Sequence, residues 1–217
     1  MMRSMLASSM LMFSLVAISP AHGETVVAVG TDYGAQTANG EYKSTPLVLR
    51  LVAGGVSAAT PWIRSALPQP RDGDVAPPVL MGVTFSAANT AWAFGGRESG
   101  PILYRSDDAG TTWVDAAGAL PDVMRFNRVR ALSFTSEKEG WIVSTTPADI
   151  GPYVWKTGDG GASWDPLPPL TLTIGSILAL RSSNRNVQLL RGDGDGTMIR
   201  GLEGSFTENE TVKTRMQ

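Results

Sequence analysis

The sequence predicts an all-β protein, a β-propeller of about four blades with four short strands in each. Two observations predict it: a turn-forming motif that occurs twice, and a longer repeat that surrounds the motif. The motif reads SDDAGTTW at residues 106–113 and TGDGGASW at residues 157–164, 51 residues apart. A repeat of this period is typical of propeller blades, whereas a β-sandwich gives no reason for it.

The segments around the motif follow the same order in both repeats. Phe85 and Trp92 correspond to Phe134 and Trp141, each 49 residues later. The apolar runs are short, rich in β-branched and aromatic residues, and bounded by Gly, Asn, Asp and Pro, which favours strands over helices. Weaker copies flank the two clear ones, so the four blades are expected near residues 24–69, 80–121, 128–169 and 176–213.

The motif is expected to form the turn between the third and fourth strands of a blade. An Asp side chain accepts hydrogen bonds from backbone N–H groups a few residues ahead, and the following Gly permits a positive φ. The hydroxyl residues satisfy the remaining polar groups, and the Trp is large enough to pack between blades. The expected structural residues are Ser106, Asp108, Gly110, Thr112 and Trp113 in the first copy, and Thr157, Asp159, Gly161, Ser163 and Trp164 in the second.

Asp108 and Asp159 also admit a second interpretation, as the acid/base pair of a glycoside hydrolase. Their repetition favours the structural role, because each blade carries its own carboxylate and the two would point away from each other on a propeller rim. The glycine-rich stretch RGDGDGTM at residues 191–198 is likewise expected to be a hairpin turn. A calcium loop of the EF-hand type needs a longer pattern that ends in Glu.

The N-terminus has the pattern of a secretory signal peptide over residues 1–23. Arg3 precedes an apolar run from Met5 to about Ile18, and Pro20 and three further residues lead to cleavage after Gly23. The run is shorter than the ~20 apolar residues of a spanning helix, so a retained membrane anchor is the less favoured alternative. We therefore expect a propeller domain at residues 24–217 that is periplasmic or extracellular, with no stable membrane span after cleavage.

Composition excludes several classes of function. The formal net charge is −2, which gives no reason to expect nucleic acid as a partner. The chain has no cysteine, and its single histidine, His22, lies in the predicted signal peptide. The exported protein would then lack a Ser-His-Asp triad, a cysteine nucleophile and a His/Cys zinc site. We expect no catalysis, no cofactor and no metal site.

The repeat resembles the Asp box, or BNR repeat, of sialidases and other propellers. Within that group it is similar to the photosystem II stability/assembly factor-like family, most closely in EGWIVST and YVWKTGDGGASW, within residues 139–164. The other clear copy has Ala91 and Ala109 where that family has Gly. Members of the family resemble propellers of about seven blades, so a chain with four predicts a small ring, an incomplete arc or a truncated chain.

The resemblance implies a non-catalytic scaffold that binds a protein or peptide partner and, in photosynthetic organisms, assists the assembly of a membrane complex. The family's partner surface bears arginines. The nearest match here is MRFNRVR, which makes Arg125, Arg128 and Arg130 the candidate partner-binding residues. The alternative is that the three are solvated arginines beside a strand, with no binding role.

A sialidase-like glycoside hydrolase, or a carbohydrate-binding propeller, is the alternative function. The hydrolase needs an arginine cluster and a Tyr paired with Glu, and the Arg-Ile-Pro signature of that group is not present. Around Arg64 only Ile63 and Arg64 match, in reversed order. Variation is concentrated in the insertions GAQTANGEYKST, PQPRDGDVAPP, GRESGP and TPADIG, and loops on a rigid scaffold commonly carry function. The sequence leaves open which of these loops share a face.

We predict that the exported protein begins at Glu24. Intact-mass measurement and N-terminal sequencing of protein recovered from the exported fraction of the native host check this. A chain that keeps residues 1–23 and sediments with membranes would instead support the retained anchor.

Overall fold

The computed structural model describes residues 12–14, 25–36, 42–52, 62–68, 78–146, 148, 153–167, 177–183, 186–191, 198–202 and 205–207. Its strands form four antiparallel sheets of four strands each, and the strand order within every sheet follows the chain. The all-β class and the four-stranded unit predicted from the sequence are thus confirmed.

Each sheet is built from one continuous stretch of the chain. The first sheet contains Met12–Ser14 (β1), Thr25–Gln36 (β2), Tyr42–Val52 (β3) and Ile63–Arg64 (β4). The second contains Val79–Phe85 (β5), Ala91–Arg97 (β6), Gly100–Ser106 (β7) and Val114–Asp115 (β8). The third contains Arg128–Phe134 (β9), Gly140–Thr145 (β10), Tyr153–Thr157 (β11) and Asp165–Pro166 (β12). The fourth contains Ile177–Ser183 (β13), Asn186–Arg191 (β14), Met198–Leu202 (β15) and Ser205–Thr207 (β16).

The first strand of the first sheet comes from within the predicted signal peptide. Met12–Ser14 pairs with residues 29–31 of β2, in the position that β5, β9 and β13 take in the other sheets. Cleavage after Gly23 would remove this strand. The other residues of 1–23 lie outside the described residues, so the signal peptide stays a prediction, and so does the hairpin turn expected at 192–197.

The core lies between successive sheets. One buried cluster joins the first sheet to the second through valines of β2 and β3, aliphatic residues of β5 and β7, and Trp113. A second cluster joins the second sheet to the third through Trp92, Leu103, Ile142 and Trp164. Both motif tryptophans therefore pack between sheets, as the motif analysis anticipated.

Central and outer strands differ sharply in burial. Every residue of β6 and β10 is buried, because each of these strands has neighbours on both of its faces. The outer strands β4, β8 and β12 are only two residues long, and all six of their residues are exposed. Short outer strands leave few unpaired backbone groups on which another chain could add a strand.

The first motif copy folds as a turn built around one carboxylate. Asp108 Oδ1 accepts the backbone N–H groups of Thr111 (3.0 Å) and Thr112 (2.8 Å), and Oδ2 accepts the Thr112 hydroxyl (2.6 Å). The Ser106 hydroxyl donates to Asp108 Oδ1 (2.8 Å) and accepts the N–H of Gly110 (2.8 Å). The Asp108 carboxylate thus satisfies two backbone N–H groups that the tight turn removes from the β-ladder, and two hydroxyl groups besides.

The second copy repeats this arrangement. Asp159 accepts the backbone N–H of Ser163 (3.0 Å) and its hydroxyl (2.6 Å). The Thr157 hydroxyl donates to Asp159 (2.7 Å) and accepts the N–H of Gly161 (2.9 Å). The eight-residue similarity in sequence therefore corresponds to one turn geometry, used in the second and third sheets.

Each turn also docks on the preceding sheet through its glycine. Gly110 and Gly161 have φ of +85° and +86°, which disfavours any other residue. A Cβ on Gly110 would lie 2.8 Å from Val27 Cγ2, and a Cβ on Gly161 would lie 2.6 Å from Trp92 Cη2. Glycine is therefore required both for the backbone conformation and for contact with the neighbouring sheet.

Ala109 holds a φ of +55°, where the third-sheet turn has Gly160 at +76°. A left-handed conformation costs a residue with a Cβ about 1–2 kcal/mol, partly offset by the greater freedom of glycine in the unfolded chain. We therefore predict that Ala109→Gly raises the free energy of unfolding by about 0.5–1 kcal/mol. Gly160→Ala should lower it, since the new Cβ would also lie 2.9 Å from the Glu137 carbonyl oxygen. Urea denaturation measures both.

Gly118→Ala is the matched control, because Gly118 has no positive φ and its Cβ would meet nothing within 4 Å. This variant should be neutral or slightly stabilising. If Ala109→Gly is destabilising, the strain assigned to Ala109 is wrong.

Candidate binding groove on the loop face

The antiparallel strand order places particular connections at one end of each sheet. The connection from second to third strand and the exit from the fourth strand lie together, and the motif turns lie at the opposite end. We call the first end the loop face. It carries the turn between β6 and β7, and the linker segment 116–127 that joins β8 to β9. The connections that leave β2, β4 and β10 start from the same end of their sheets, so all four insertions noted in the sequence begin at this face.

The linker segment is anchored in the core and displays other residues to solvent. It contains two 3-10 turns, Ala117–Ala119 and Asp122–Met124. Leu120 and Met124 are buried in the cluster between the second and third sheets. Val123 and Phe126 are 73% and 58% exposed, respectively. Of these two exposed side chains, Phe126 lines the groove described below.

The end of the segment is held by a buried polar network. Asn127 Nδ2 donates to Ser144 Oγ (3.2 Å), and Trp155 Nε1 donates to the same oxygen (3.0 Å). All three residues are buried. A satisfied buried network of this kind fixes the backbone that leads into β9.

A groove with a volume of about 410 Å³ lies between the β6–β7 turn and the linker segment. Its apolar lining comes from Pro101, Leu120, Pro121 and Phe126, and its charged lining comes from Asp122 and Arg125. The Arg125 guanidinium lies 4.6 Å from the centre of the Phe126 ring, a cation–π contact. The groove therefore combines apolar residues with one exposed cation, Arg125, and one exposed carboxylate, Asp122.

Gly100 fixes the position of Arg125. Its φ is +135°, and a Cβ at this position would collide with the Arg125 carbonyl oxygen. The turn between β6 and β7 thus packs directly on the backbone of the linker segment, and the two walls of the groove meet at this contact.

The structure separates the three arginines that the sequence suggested as one partner-binding set. Arg125 is exposed and lines the groove. Arg128 is half-buried, with its Cγ 2.5 Å from where a Cβ on Gly96 would lie. Arg130 donates through Nε to Thr145 Oγ1 (3.0 Å), and its Nη1 lies 3.9 Å from Met81 Sδ. Arg128 and Arg130 do not line this groove.

Sequence reasoning did not single out Val123 or Phe126. Val123 is next to Met124, the buried residue of the second 3-10 turn, whereas Phe126 lies two residues after that turn, and its exposure has no local signal in the sequence. An apolar residue in a short linker is otherwise assigned to the core by default.

The pKa values of both motif carboxyl groups are lowered by hydrogen bonds within their own turns. Desolvation opposes ionisation of Asp108, but hydrogen bonds from the Thr112 side chain and backbone, Ser106 and Thr111 outweigh it and lower its pKa to about 2. Hydrogen bonds from Ser163 and Thr157 hold the pKa of Asp159 well below its usual range. A general acid needs a raised pKa, so neither carboxyl group is a proton donor at neutral pH.

Within the described ranges, no group of three or more His, Cys, Asp and Glu side chains is placed to hold a metal ion. No helix in that part of the chain is long and apolar enough to cross a membrane.

No known family model matches the sequence, and no curated protein matches it. Among solved structures, the chain is similar to a GH74 xyloglucanase from Xanthomonas campestris, with 18% identity and a TM-score of 0.51 over 88% of this chain and 29% of that one. It is also similar to a sucrose-6-phosphate hydrolase from Lactobacillus gasseri, with 13% identity and a TM-score of 0.52 over 88% and 47%.

A structure described as YCF48 bound to D1 peptide matches with 23% identity and a TM-score of 0.48 over 59% of this chain and 38% of that one. YCF48 from Cyanidioschyzon merolae matches with 20% identity and a TM-score of 0.49 over 64% and 42%. The chain spans less than half the length of each of these four structures. At such identities a likeness shows the fold alone, and the fold is a β-propeller.

The lowered pKa of Asp108 leads to a prediction about acid stability. The stabilisation from its ionised form is fully present above about pH 4 and is lost as pH falls through about 2. We predict that Asp108→Ala lowers the free energy of unfolding at pH 7 by about 1 kcal/mol, as for other carboxylates that cap backbone N–H groups. Urea denaturation at pH 7, 4 and 2.5 should show the gap to the wild type narrowing at the lowest pH. A gap that stays constant over this range would contradict the assignment.

Proposed function

We propose that this chain is an exported, non-catalytic propeller that binds a protein or peptide partner through the groove on its loop face. The observation that carries the proposal is the pair Arg125 and Phe126, exposed on a segment whose neighbours are anchored in the core. Arg and aromatic residues supply most of the binding energy at protein interfaces, and a rigid support reduces the entropy lost on binding.

The lining of the groove defines the chemistry of the occupant. Pro101, Leu120 and Pro121 form an apolar floor that suits an apolar side chain. Arg125 makes no ion pair within the described part of the chain, so its guanidinium is available to a carboxylate from a partner. We infer that the partner segment carries an apolar residue next to an acidic one.

The remaining parts of the proposal rest on sequence and on the motif chemistry. Export is supported by the signal-peptide pattern of residues 1–23 and by a chain without cysteine. A non-catalytic role is supported by Asp108 and Asp159, since both carboxylates are ionised and engaged by their own turns. The resemblance of the repeats to photosystem II stability/assembly factors extends the proposal to a role in assembling a membrane complex.

Binding is tested with a peptide-display selection against the purified chain, followed by affinity measurement for the selected peptides. We predict enrichment of peptides with adjacent acidic and apolar residues. Arg125→Gln and Phe126→Ser should each weaken their binding by about 10-fold, the size of a typical hot-spot loss. Arg64→Gln is the matched control, because Arg64 is an exposed arginine of β4 whose Nη1 lies 2.6 Å from Asp32 Oδ2.

Equal losses for Arg64→Gln and Arg125→Gln would indicate non-specific attraction of acidic peptides and would remove the groove from the proposal. The same protein is assayed with sialosides and other glycosides. Hydrolysis of any of them overturns the non-catalytic assignment and revives the glycoside hydrolase alternative.

A further inference from the structure

An ion pair between the buried Arg97 and the more exposed Asp115 contacts both walls of the groove. Arg97 ends β6 and is only 4% exposed. Its Nη2 lies 3.3 Å from Asp115 Oδ2 and 3.5 Å from the carbonyl oxygen of Pro101, which lines the groove on the β6–β7 side.

Asp115 contacts the other wall of the groove, which the linker segment forms. Its Oδ1 accepts the backbone N–H of Ala117 (2.9 Å), the first residue of the first 3-10 turn. Ala117 lines the groove on the side of the linker segment. A continuous path of polar contacts therefore runs from Pro101 through Arg97 and Asp115 to Ala117.

The blade fold does not require this pair. Asp115 pairs with Tyr104 in the second sheet, and the corresponding pair in the third sheet is Trp155 with Pro166. Gly95 pairs with Ile102 in the second sheet, and Ser144 pairs with Tyr153 at the equivalent place in the third sheet. Two residues further along each chain, the position of Arg97 corresponds to that of Thr146. The third sheet thus forms a four-stranded ladder of the same order with Pro166 in place of Asp115, while Thr146, at the position of Arg97, follows the end of β10.

A buried charge is unfavourable unless it is paired, and an apolar pair of similar volume often stabilises a fold as well or better. The second sheet nevertheless buries Arg97, and it is the sheet whose exit segment forms the groove. We propose that the Arg97–Asp115 ion pair is a positioning device that holds the two walls of the groove at a fixed separation. This inference rests on the proposed function, because it assigns to the pair the preorganisation of that binding site.

Preorganisation of the groove reduces the conformational entropy that is lost on binding. Without the pair, the Asp115 carboxylate that accepts the Ala117 N–H is no longer held by the Arg97 guanidinium. The Pro101 carbonyl oxygen also loses Arg97 as a hydrogen-bond donor. The linker segment should then sample other positions while the sheets, which depend on the apolar clusters, stay folded. The effect should be local motion and weaker binding, with little change in the rest of the molecule.

The test measures hydrogen exchange by NMR in the full chain for Asp115→Asn, which removes the charge and keeps an oxygen that can cap Ala117. The amides of Leu120 and Met124 report on the two 3-10 turns, since they donate to Ala117 (3.1 Å) and Pro121 (2.8 Å). We expect their exchange to accelerate about 10-fold, while amides of β10 and β11 stay within about twofold of the wild type. Affinity for the selected peptides should fall about 10-fold.

The double variant Arg97→Met, Asp115→Asn removes both charges and keeps the volume of the arginine stem, so it remains informative if the single variant does not fold. It should show the same local acceleration. Asp107→Asn is the matched control, an exposed aspartate of the same sheet that pairs with Arg105 (2.9 Å) near the motif turn. It should leave Leu120 and Met124 unchanged.

Equal acceleration in all sheets would show that the pair stabilises the whole fold, and unchanged exchange at Leu120 and Met124 would show that it positions nothing. Either result overturns the inference. If the wild type binds none of the selected peptides, the proposed function fails, and the exchange data still decide whether the pair positions the segment.

Discussion

The fold depends on the docking of each motif turn against the sheet before it. A single four-stranded sheet exposes two faces and cannot bury its own apolar residues, so the sheets are stable only when stacked side by side. The contacts of Gly110 with Val27 and of Gly161 with Trp92 fix this stacking at one end of the sheets. The motif Asp maintains the turn that presents the glycine, and the motif Trp fills the space behind it. A change in any of the three would therefore loosen two sheets.

Because the motif end fixes the stacking, the loop face is free to diverge between repeats. The second and third sheets share their strand order and their turn geometry, yet they differ at the loop face in Arg97 against Thr146 and in Asp115 against Pro166. At this face the second sheet is followed by the linker segment, in which Leu120 and Met124 are buried and Phe126 is exposed. In the proposed function, the turns that fix the stacking and the groove that binds a partner lie at opposite ends of the same strands.

The turns were predictable from sequence because their causes are local. Asp, Gly and the hydroxyl residues stand within eight positions of one another, and each turn forms its hydrogen bonds within that stretch. The fate of the arginines was not predictable, because it depends on residues of another sheet. Alternation along β9 places Arg128 and Arg130 on one face, but only the stacking brings Gly96 and Met81 against that face. The strand at Met12–Ser14 was likewise unexpected, since an apolar run after an early arginine predicts a signal peptide rather than a partner for β2.

The groove illustrates how a scaffold can expose apolar groups without losing stability. Leu120 and Met124 bury their side chains between the second and third sheets, which secures the segment before any partner arrives. Val123 lies within the second 3-10 turn and Phe126 two residues beyond it, and both side chains are exposed. Because both side chains stay in water, they contribute little to folding. Arg125 covers one face of the Phe126 ring, which reduces that exposure in the free protein and leaves the cation available to a partner.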